Sequence, residues 1–434
     1  MGSLSDPADL ALSELVHYVR QNSPFYREFW KDVPETAERL EDFSIVDHTA
    51  FWEANSCLDS KVVTTEQKDG IIFKTGGTTN NPKVTFYSHA ELDSVAKQLA
   101  HCLERCGVGR GDRVANLFYA GDLYGSFLLH VLSLHHHPAG AIQIPVAGHI
   151  AVDAMVGYIA EFAATVVLAT VTTMCKMAEA LQRWDATLPS VRLLLFSGEA
   201  LYADQTALLR ARFPRAAVTS LVYGSMDSGV IGLPVRATDR GQHPDPRVHE
   251  ANAPRLRVEI VAPDGAAIMR PGVAGALVVT NLERRLMPVV RYPSGDRAEW
   301  LDRERRLFRV LGRDGSASLR LGPVSLDFAH LRGIVAAALG GDAAIGALQA
   351  VVGRRDAKDL LTVLVAHRPC DPAGAAAAVA RELDARRPMF AEEVRRGCIN
   401  AVEVRFVGME ALRVNARTGK IQDVVDVRGD ALSG

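Results

Sequence analysis

The chain has 434 residues, 48% of them hydrophobic and 23% charged, with a net charge of −2. That length and apolar content allow large buried cores and favour two or three globular units over one. The near-neutral balance supplies no broad basic field, which argues against nucleic acid or an anionic membrane surface as the main partner and in favour of small molecules.

The N-terminal MGSLSDPADLALSELVHYVRQ lacks the basic start and unbroken apolar run of a secretory leader, and no later segment reads as membrane-spanning. A cytoplasmic protein with no membrane partner is expected. A helical pattern over 8–31 carries Leu12, Leu15, Val16 and Val19 and leads into the aromatic SPFYREFW, a docking arm. Residues 73–88, FKTGGTTNNPKVTFYS, come next. Gly76 and Gly77 let a backbone approach a ligand closely, and Thr75, Thr78, Thr79 and Lys83 offer hydroxyls and a cation, a set that suits phosphate. Asn-Asn-Pro after Gly-Gly is also ordinary hairpin-turn chemistry, and the stretch is not a Walker A loop.

From 90 to 107, Leu92, Val95, Leu99, Cys102 and Leu103 repeat at helical spacing and stop at Gly107. Strand DRVANLFYA, a helix over 121–137 and strand AIQIPV follow. The alternation continues as helix 150–162, strand 165–170, helix 172–184, strand 191–198, helix 202–213 and strand 217–224. Strand and helix in regular turn predict mainly parallel sheets covered by helices, because parallel crossovers need a dozen or more residues. After 250, LRVEIVAPDG, GALVVTNLE, VVRYPSGDRAEWL and RRLFRVLGR read as short antiparallel strands. Beyond GRDGS a small α+β module is expected: helix 327–340, strands LQAVVG and LLTVLVAH, helix 372–387, strand AVEVRFV and a closing strand near 421–427.

Cys57, Cys102, Cys106, Cys175, Cys370 and Cys398 form neither a disulfide framework nor a paired zinc motif, so they read as free thiols. His135, His136 and His137 are consecutive and point to different sides of any regular element.

Ligands of α/β proteins sit at the carboxyl edge of the parallel strands. There, FSGEAL (196–201) offers backbone groups at Ser197 and Gly198, and YGSMDSG (223–229) offers Tyr223 to stack on a flat ring and Asp227 to hold a hard cation such as Mg²⁺. Asp296 in RYPSGD can accept both hydroxyl hydrogens of a ribose, and Arg313 in LGRDGS can donate to sugar or phosphate oxygens. Lys420 in NARTGK taken alone reads as a solvated charge on an exposed loop.

In that order and at those intervals, TGGTTNNPK, SGEAL, YGSMD, YPSGD, GRDG and RTGK resemble the acyl-adenylate-forming superfamily of acyl-CoA synthetases, adenylation domains and luciferases, over nearly the whole chain. HYVRQNSPFYREFW and FYAGDLYGSFLLHVLSLHHHPAGAIQIPVAG look like its phenylacetate-CoA ligase branch. The resemblance implies a large domain, 1–313, of parallel sheets with a distorted antiparallel subdomain, and a small mobile domain, 314–434. It implies ATP, Mg²⁺ and coenzyme A as cofactors. Thr75 to Lys83 would enclose the triphosphate, with Thr78 and Lys83 acting in catalysis. Ser197, Gly198 and Glu199 would line the adenine and acyl pocket, and Tyr223, Gly224, Ser225 and Met226 would lie against adenine and the α-phosphate. Asp227 stands where the family has a magnesium-binding Glu, one methylene longer. Asp296 and Arg313 fall on the ribose contacts, and Lys420 on the catalytic lysine that bridges carboxylate and α-phosphate. The hinge departs from the pattern, with Gly315 and Leu319 at positions where the family carries Asp or Lys and a further Lys.

The expected acyl pocket is built from Phe118, Tyr119, Tyr124 and Gly125 with Ser197 and Gly224. Flat walls with few polar contacts suit a small aromatic acid, a phenylacetate or a substituted benzoate, salicylate or anthranilate. The expected activity is acyl-AMP formation with pyrophosphate release and transfer to the thiol of coenzyme A. A carrier-protein thiol or an amine as acceptor, and a nucleotide-binding protein without catalysis, stay open. Oligomeric state is not written in the sequence, a homodimer being one outcome.

Overall fold

The computed structural model describes residues 7–37, 39–74, 83–121, 123–236, 245–313, 318–341, 345, 347–367, 369–408, 411–413 and 421–428. The pattern over 8–31 resolves into two helices, α1 (Pro7–Asn22) and α2 (Pro24–Phe29), instead of one. Ser23 separates them: its Oγ accepts from Tyr26 N, and Pro24, which lacks an N–H, takes the first helical position, where none is needed. Tyr26 and Trp30 then pack at a 46° tilt, centroids 4.7 Å apart, in a core shared with Phe43, Phe51 and the antiparallel sheet. A short helix not expected from the sequence, α3 (His48–Glu53), follows under an Asp47 cap.

β1 (Ile71–Lys74) and β2 (Val84–Tyr87) form an antiparallel hairpin with Lys74 opposite Val84. Thr75, Gly76, Gly77, Thr78 and Thr79 connect them and lie outside the described residues. α4 (His89–Arg105) begins at a reciprocal Ser88–Glu91 cap. The parallel sheet contains β3 (Arg113–Asn116), β4 (Ile142–Pro145), β5 (Val166–Ala169), β6 (Leu193–Phe196) and β7 (Ala217–Ser220), in the order β4-β3-β5-β6-β7. Helices α5 (Ser126–His135), α6 (Val152–Glu161), α7 (Val171–Arg183) and α8 (Ala203–Arg212) connect these strands. The central VVLA and LLLF strands are buried throughout and contribute to separate hydrophobic clusters, as a sheet covered on both faces requires.

The strand expected over 217–224 is two strands. The chain leaves the parallel sheet after Ser220, and β8 (Tyr223–Ser225) pairs antiparallel with β9 (Gly229–Pro234). The approach is so close that a Cβ on Gly224 would stand 2.3 Å from the Gly229 carbonyl oxygen. β10 (Val248–Ala251), β11 (Leu256–Val261), β12 (Ala274–Asn281), β13 (Tyr292–Asp302) and β14 (Leu307–Arg313) complete a seven-stranded sheet ordered β11-β12-β13-β14-β10-β9-β8, with register shifts in β12–β13 and β13–β14.

The C-terminal part starts with the hairpin β15 (Ser318–Leu321) and β16 (Val324–Asp327), followed by α9 (Phe328–Ala338). β17 (Leu348–Arg355), β18 (Lys358–Val365), α10 (Pro372–Arg386), α11 (Pro388–Arg395), β19 (Glu403–Phe406) and β20 (Val424–Asp426) follow, the sheet running β19-β18-β17-β20. Leu319 to Ile399 furnish a hydrophobic cluster of their own, so this segment has the core an independent module needs. Leu319, a hinge departure in sequence, is buried in that core.

Candidate active site

Two carboxylates from the antiparallel sheet sit at opposite ends of the Tyr223–Asp227 turn. At one end the Tyr223 hydroxyl donates to Asp296 Oδ2 at 2.6 Å, and Asp296 stands directly across the β13–β14 ladder from Arg313. At the other end Asp227 is buried. The Tyr292 hydroxyl donates to its Oδ2 at 2.7 Å and its own Oδ1 accepts from Ser228 N at 3.2 Å. Burial alone would raise its carboxyl pKa, but the Lys83 charge and the Ser225 and Tyr292 hydroxyls bring it below the ordinary value. Asp227 therefore carries its negative charge in the field of Lys83, the lysine that closes the glycine–threonine stretch.

Lys83 is itself held. Its Nζ lies 2.7 Å from His48 Nε2 and 5.1 Å from the centre of the Trp52 ring. Trp52 Nε1–H donates to the Tyr292 hydroxyl at 2.9 Å, so the partners of Lys83 and of Asp227 join in one network. Sequence reasoning missed His48 and Trp52. Their four-residue spacing puts both on one face of α3, but only the fold turns that face to Lys83. Tyr292, inside the quoted RYPSGD stretch, was also missed as a site residue.

The carboxyl edge of the parallel sheet forms the second locus. Gly198 takes φ +79°, a conformation suited to glycine, and presents the Ser197–Glu199 turn. Glu199 Oε2 accepts from Thr172 N at 2.7 Å, near the start of α7, while its enclosed Oε1 has no partner among the described residues. Burial raises its pKa against the opposing pull of that N–H and of Arg320. A cavity of about 280 Å³ is lined by Thr173 and Lys176 of α7 with Tyr119, His149, Ile150, Met155 and Arg396 among others. Arg396 follows α11, so the C-terminal part supplies one wall.

Of the expected acyl-pocket residues, Tyr119 lines this cavity. Phe118 is instead 1% exposed and stacked on buried His130, centroids 4.5 Å apart. Tyr124 is exposed, and Gly125 packs where a Cβ would come 2.7 Å from Met226 Cε and 2.9 Å from Phe73. Met226 is fixed by its carbonyl, which accepts from the Tyr87 hydroxyl at 2.6 Å. Lys420 and Gly315 lie outside the described residues, and of Arg313 only the backbone is described.

The C-terminal part docks on the parallel-sheet layer near this locus. A Cβ on Gly322 would lie 3.1 Å from Thr172 Oγ1, and Lys358 pairs with Glu179 at 3.2 Å. Tyr202, just before α8, faces Arg354 and Arg428.

No family model matches the chain. Among curated proteins it is similar to the phenylacetate-coenzyme A ligase of Aromatoleum evansii, 24% identical over 311 residues, 69% of this chain and 68% of that one. The Pseudomonas putida phenylacetate-coenzyme A ligase is 24% identical over 299 residues, 67% of this chain and 65% of that one. The chain thus spans about two thirds of the length of these relatives. In fold it matches a 2-hydroxyisobutyryl-CoA ligase solved with its acyl-AMP and CoA in the thioesterification state, with a TM-score of 0.75 at 20% identity over 98% of this chain and 90% of that one. The same ligase in a postadenylation state scores 0.63 over the same shares. The chain is thus similar in sequence to phenylacetate-coenzyme A ligases and in fold to an acyl-CoA ligase, and it carries the motifs in the order in which they resemble the acyl-adenylate-forming superfamily.

Proposed function

We propose that the protein is an AMP-forming ligase that activates a small aromatic carboxylic acid with ATP and passes the acyl group to the thiol of coenzyme A. The observation that carries this reading is the Tyr223–Asp227 turn, which joins the Asp296 carboxylate at one end to Asp227 at the other, itself linked through Tyr292 and Trp52 to Lys83. That is the order in which a nucleotide presents ribose and then phosphates.

In this reading Asp296 accepts the ribose hydroxyls, Arg313 supports it from the neighbouring strand, and Lys83 with residues 75–79 receives the β- and γ-phosphates. Asp227 fits a hard cation as a buried anionic oxygen donor, either directly or through water. Bound there, Mg²⁺ would neutralise phosphate charge. Lys420 bridges the substrate carboxylate and the α-phosphate, lowering the repulsion that otherwise keeps two anions apart and aligning the carboxylate for in-line attack. A carboxylate oxygen forms a bond to the α-phosphorus as the bond from that phosphorus to the oxygen bridging to the β-phosphate breaks, and pyrophosphate leaves. In the second step the thiol sulfur attacks the acyl carbon and AMP departs.

The 314–434 module is proposed to rotate between these steps, withdrawing Lys420. The cavity supports coenzyme A as acceptor over a bare amine. Ile150, Val152 and Met155 suit an apolar arm, and Lys176 and Arg396 suit phosphate. An aromatic acid is supported by the resemblance to phenylacetate-CoA ligases. ATP-dependent pyrophosphate release over a panel of aryl and alkyl acids, followed by coenzyme A, an amine and a carrier protein as acceptors, tests both halves. Aryl acids with coenzyme A are expected to give the highest rate. Pyrophosphate release with no acid in the panel would overturn the activity, and preference for alkyl acids would overturn the substrate class. Lys420→Ala is expected to abolish adenylation and leave ATP binding intact.

A further inference from the structure

We propose that His48 is a positioning residue for nucleotide binding: it fixes the Lys83 ammonium at the end of the glycine–threonine stretch so that the cation is already in place when triphosphate arrives. This rests on the proposed nucleotide site and adds a residue from outside the superfamily motifs.

A lysine ammonium is a point charge on a flexible four-carbon stem, and each bond it makes must offset the rotamer freedom it loses. Two side chains from α3 confine it. His48 Nε2 lies 2.7 Å from Lys83 Nζ, and the Trp52 ring centre lies 5.1 Å away, within cation–π range. An ammonium has donors and no acceptor, so Nε2 must be the acceptor and His48 the neutral Nδ1–H tautomer. The imidazole is fixed in turn, its ring centre 5.7 Å from that of Tyr292 and 6.3 Å from that of Trp52. Tyr292 bonds Asp227, and Asp227 attracts Lys83. The lysine is thus steered from two sides, by an acceptor on the N-terminal segment and by the anion on the β8–β9 turn. Phe51, fully buried between His48 and Trp52 in sequence, anchors α3 in the core and makes the pair rigid. An N-terminal segment that reads as a docking arm therefore also shapes the phosphate grip. A preplaced cation reduces the ordering cost of binding.

ATP affinity measured by calorimetry on the full chain tests this through a double-mutant cycle of His48→Ala and Lys83→Met, with His48→Gln as the conservative variant. His48→Ala is expected to weaken ATP about tenfold, and His48→Gln, whose amide oxygen can accept from the ammonium, less than about threefold. In the Lys83→Met background, His48→Ala should have no further effect. In ¹⁵N spectra His48 should show the Nδ1–H tautomer, lost in Lys83→Met. An equal loss from His48→Ala with and without Lys83, or no loss at all, would overturn the proposal. These readouts need no turnover. ATP binding with the expected coupling but no acid-dependent pyrophosphate release would sink the ligase reading and leave His48 in its role.

Discussion

The guanidinium of Arg354 lies 4.7 Å from the centre of the Tyr202 ring, stacking a residue of the C-terminal sheet on one that precedes α8 of the parallel-sheet layer. Arg428 approaches the same ring at 5.6 Å. Both arginines are pinned by Asp359, through Nη1 contacts of 2.8 Å each, so the ring meets a preassembled cationic pair. Together with Lys358–Glu179 these contacts join the C-terminal part to the parallel-sheet layer in the arrangement seen here.

For the proposed ligase, with thioester formation taking place in this arrangement, removing the ring should weaken that half-reaction selectively. Cation–π contacts contribute about 0.5–2 kcal/mol each. Tyr202→Ala is expected to slow thioester formation about fivefold to tenfold while acid-dependent pyrophosphate exchange stays within about twofold. Single-turnover kinetics of the two steps check this, and equal losses in both would count against it.

Asp359 is a stability residue. Its buried carboxylate accepts from Arg354, Arg428 and Gly322 N at 2.8 Å each. Asp359→Asn removes the carboxylate charge that Arg354 and Arg428 share, Arg428 keeping Asp426 at 2.6 Å, and should destabilise the C-terminal module by about 2 kcal/mol. Denaturant unfolding followed by a probe in that module measures it, and a midpoint unchanged from wild type would refute it.

Asp227→Asn removes the buried anion that faces Lys83 and bonds Tyr292. Pyrophosphate exchange is expected to fall on the order of a hundredfold, the scale of losing one preorganised electrostatic group. If the carboxylate also holds the metal, the Mg²⁺ concentration giving half-maximal rate will rise in the variant. An unchanged Mg²⁺ requirement assigns Asp227 to Lys83 alone.

Stability should fall on the acid side of neutrality. His249 is buried, its Nδ1 against Arg247 O at 3.1 Å and its Nε2 against Ser220 Oγ at 3.0 Å, and burial pulls its pKa down to about 4. The unfolded chain binds that proton from about pH 6.5 downward and the folded chain does not. The contribution is thus complete above pH 6.5 and is lost, at up to about 1.4 kcal/mol per pH unit, as pH falls toward 4. His130, buried against Phe118 and lowered to about 3, acts in the same direction. Unfolding free energies from pH 7 to 5 should show a shallower slope in His249→Gln than in wild type.

The parallel-sheet layer was legible because its information is local. Gly107 ends a helix, VVLA and LLLF are continuous apolar strands, and helical periods separate them. The division of 217–224 was not legible. Leu221 and Val222 suit a strand as well as their neighbours do, and the switch of sheets is set by the Gly224–Gly229 approach.

For the candidate site, the sequence by itself determined the residue types in their order: a glycine–threonine stretch closed by Lys83, the Tyr223–Asp227 turn, Asp296 and Arg313. Only the tertiary structure decided which of them meet. Tyr223 reaches Asp296 across 73 residues, Tyr292 reaches Asp227 across 65, and His48 reaches Lys83 across 35. A polar side chain in a sequence carries its chemistry but not its partner, because the partner is chosen by how apolar elements far away in the chain pack. Periodicity reports which face of an element is buried, and says nothing of what that face is buried against.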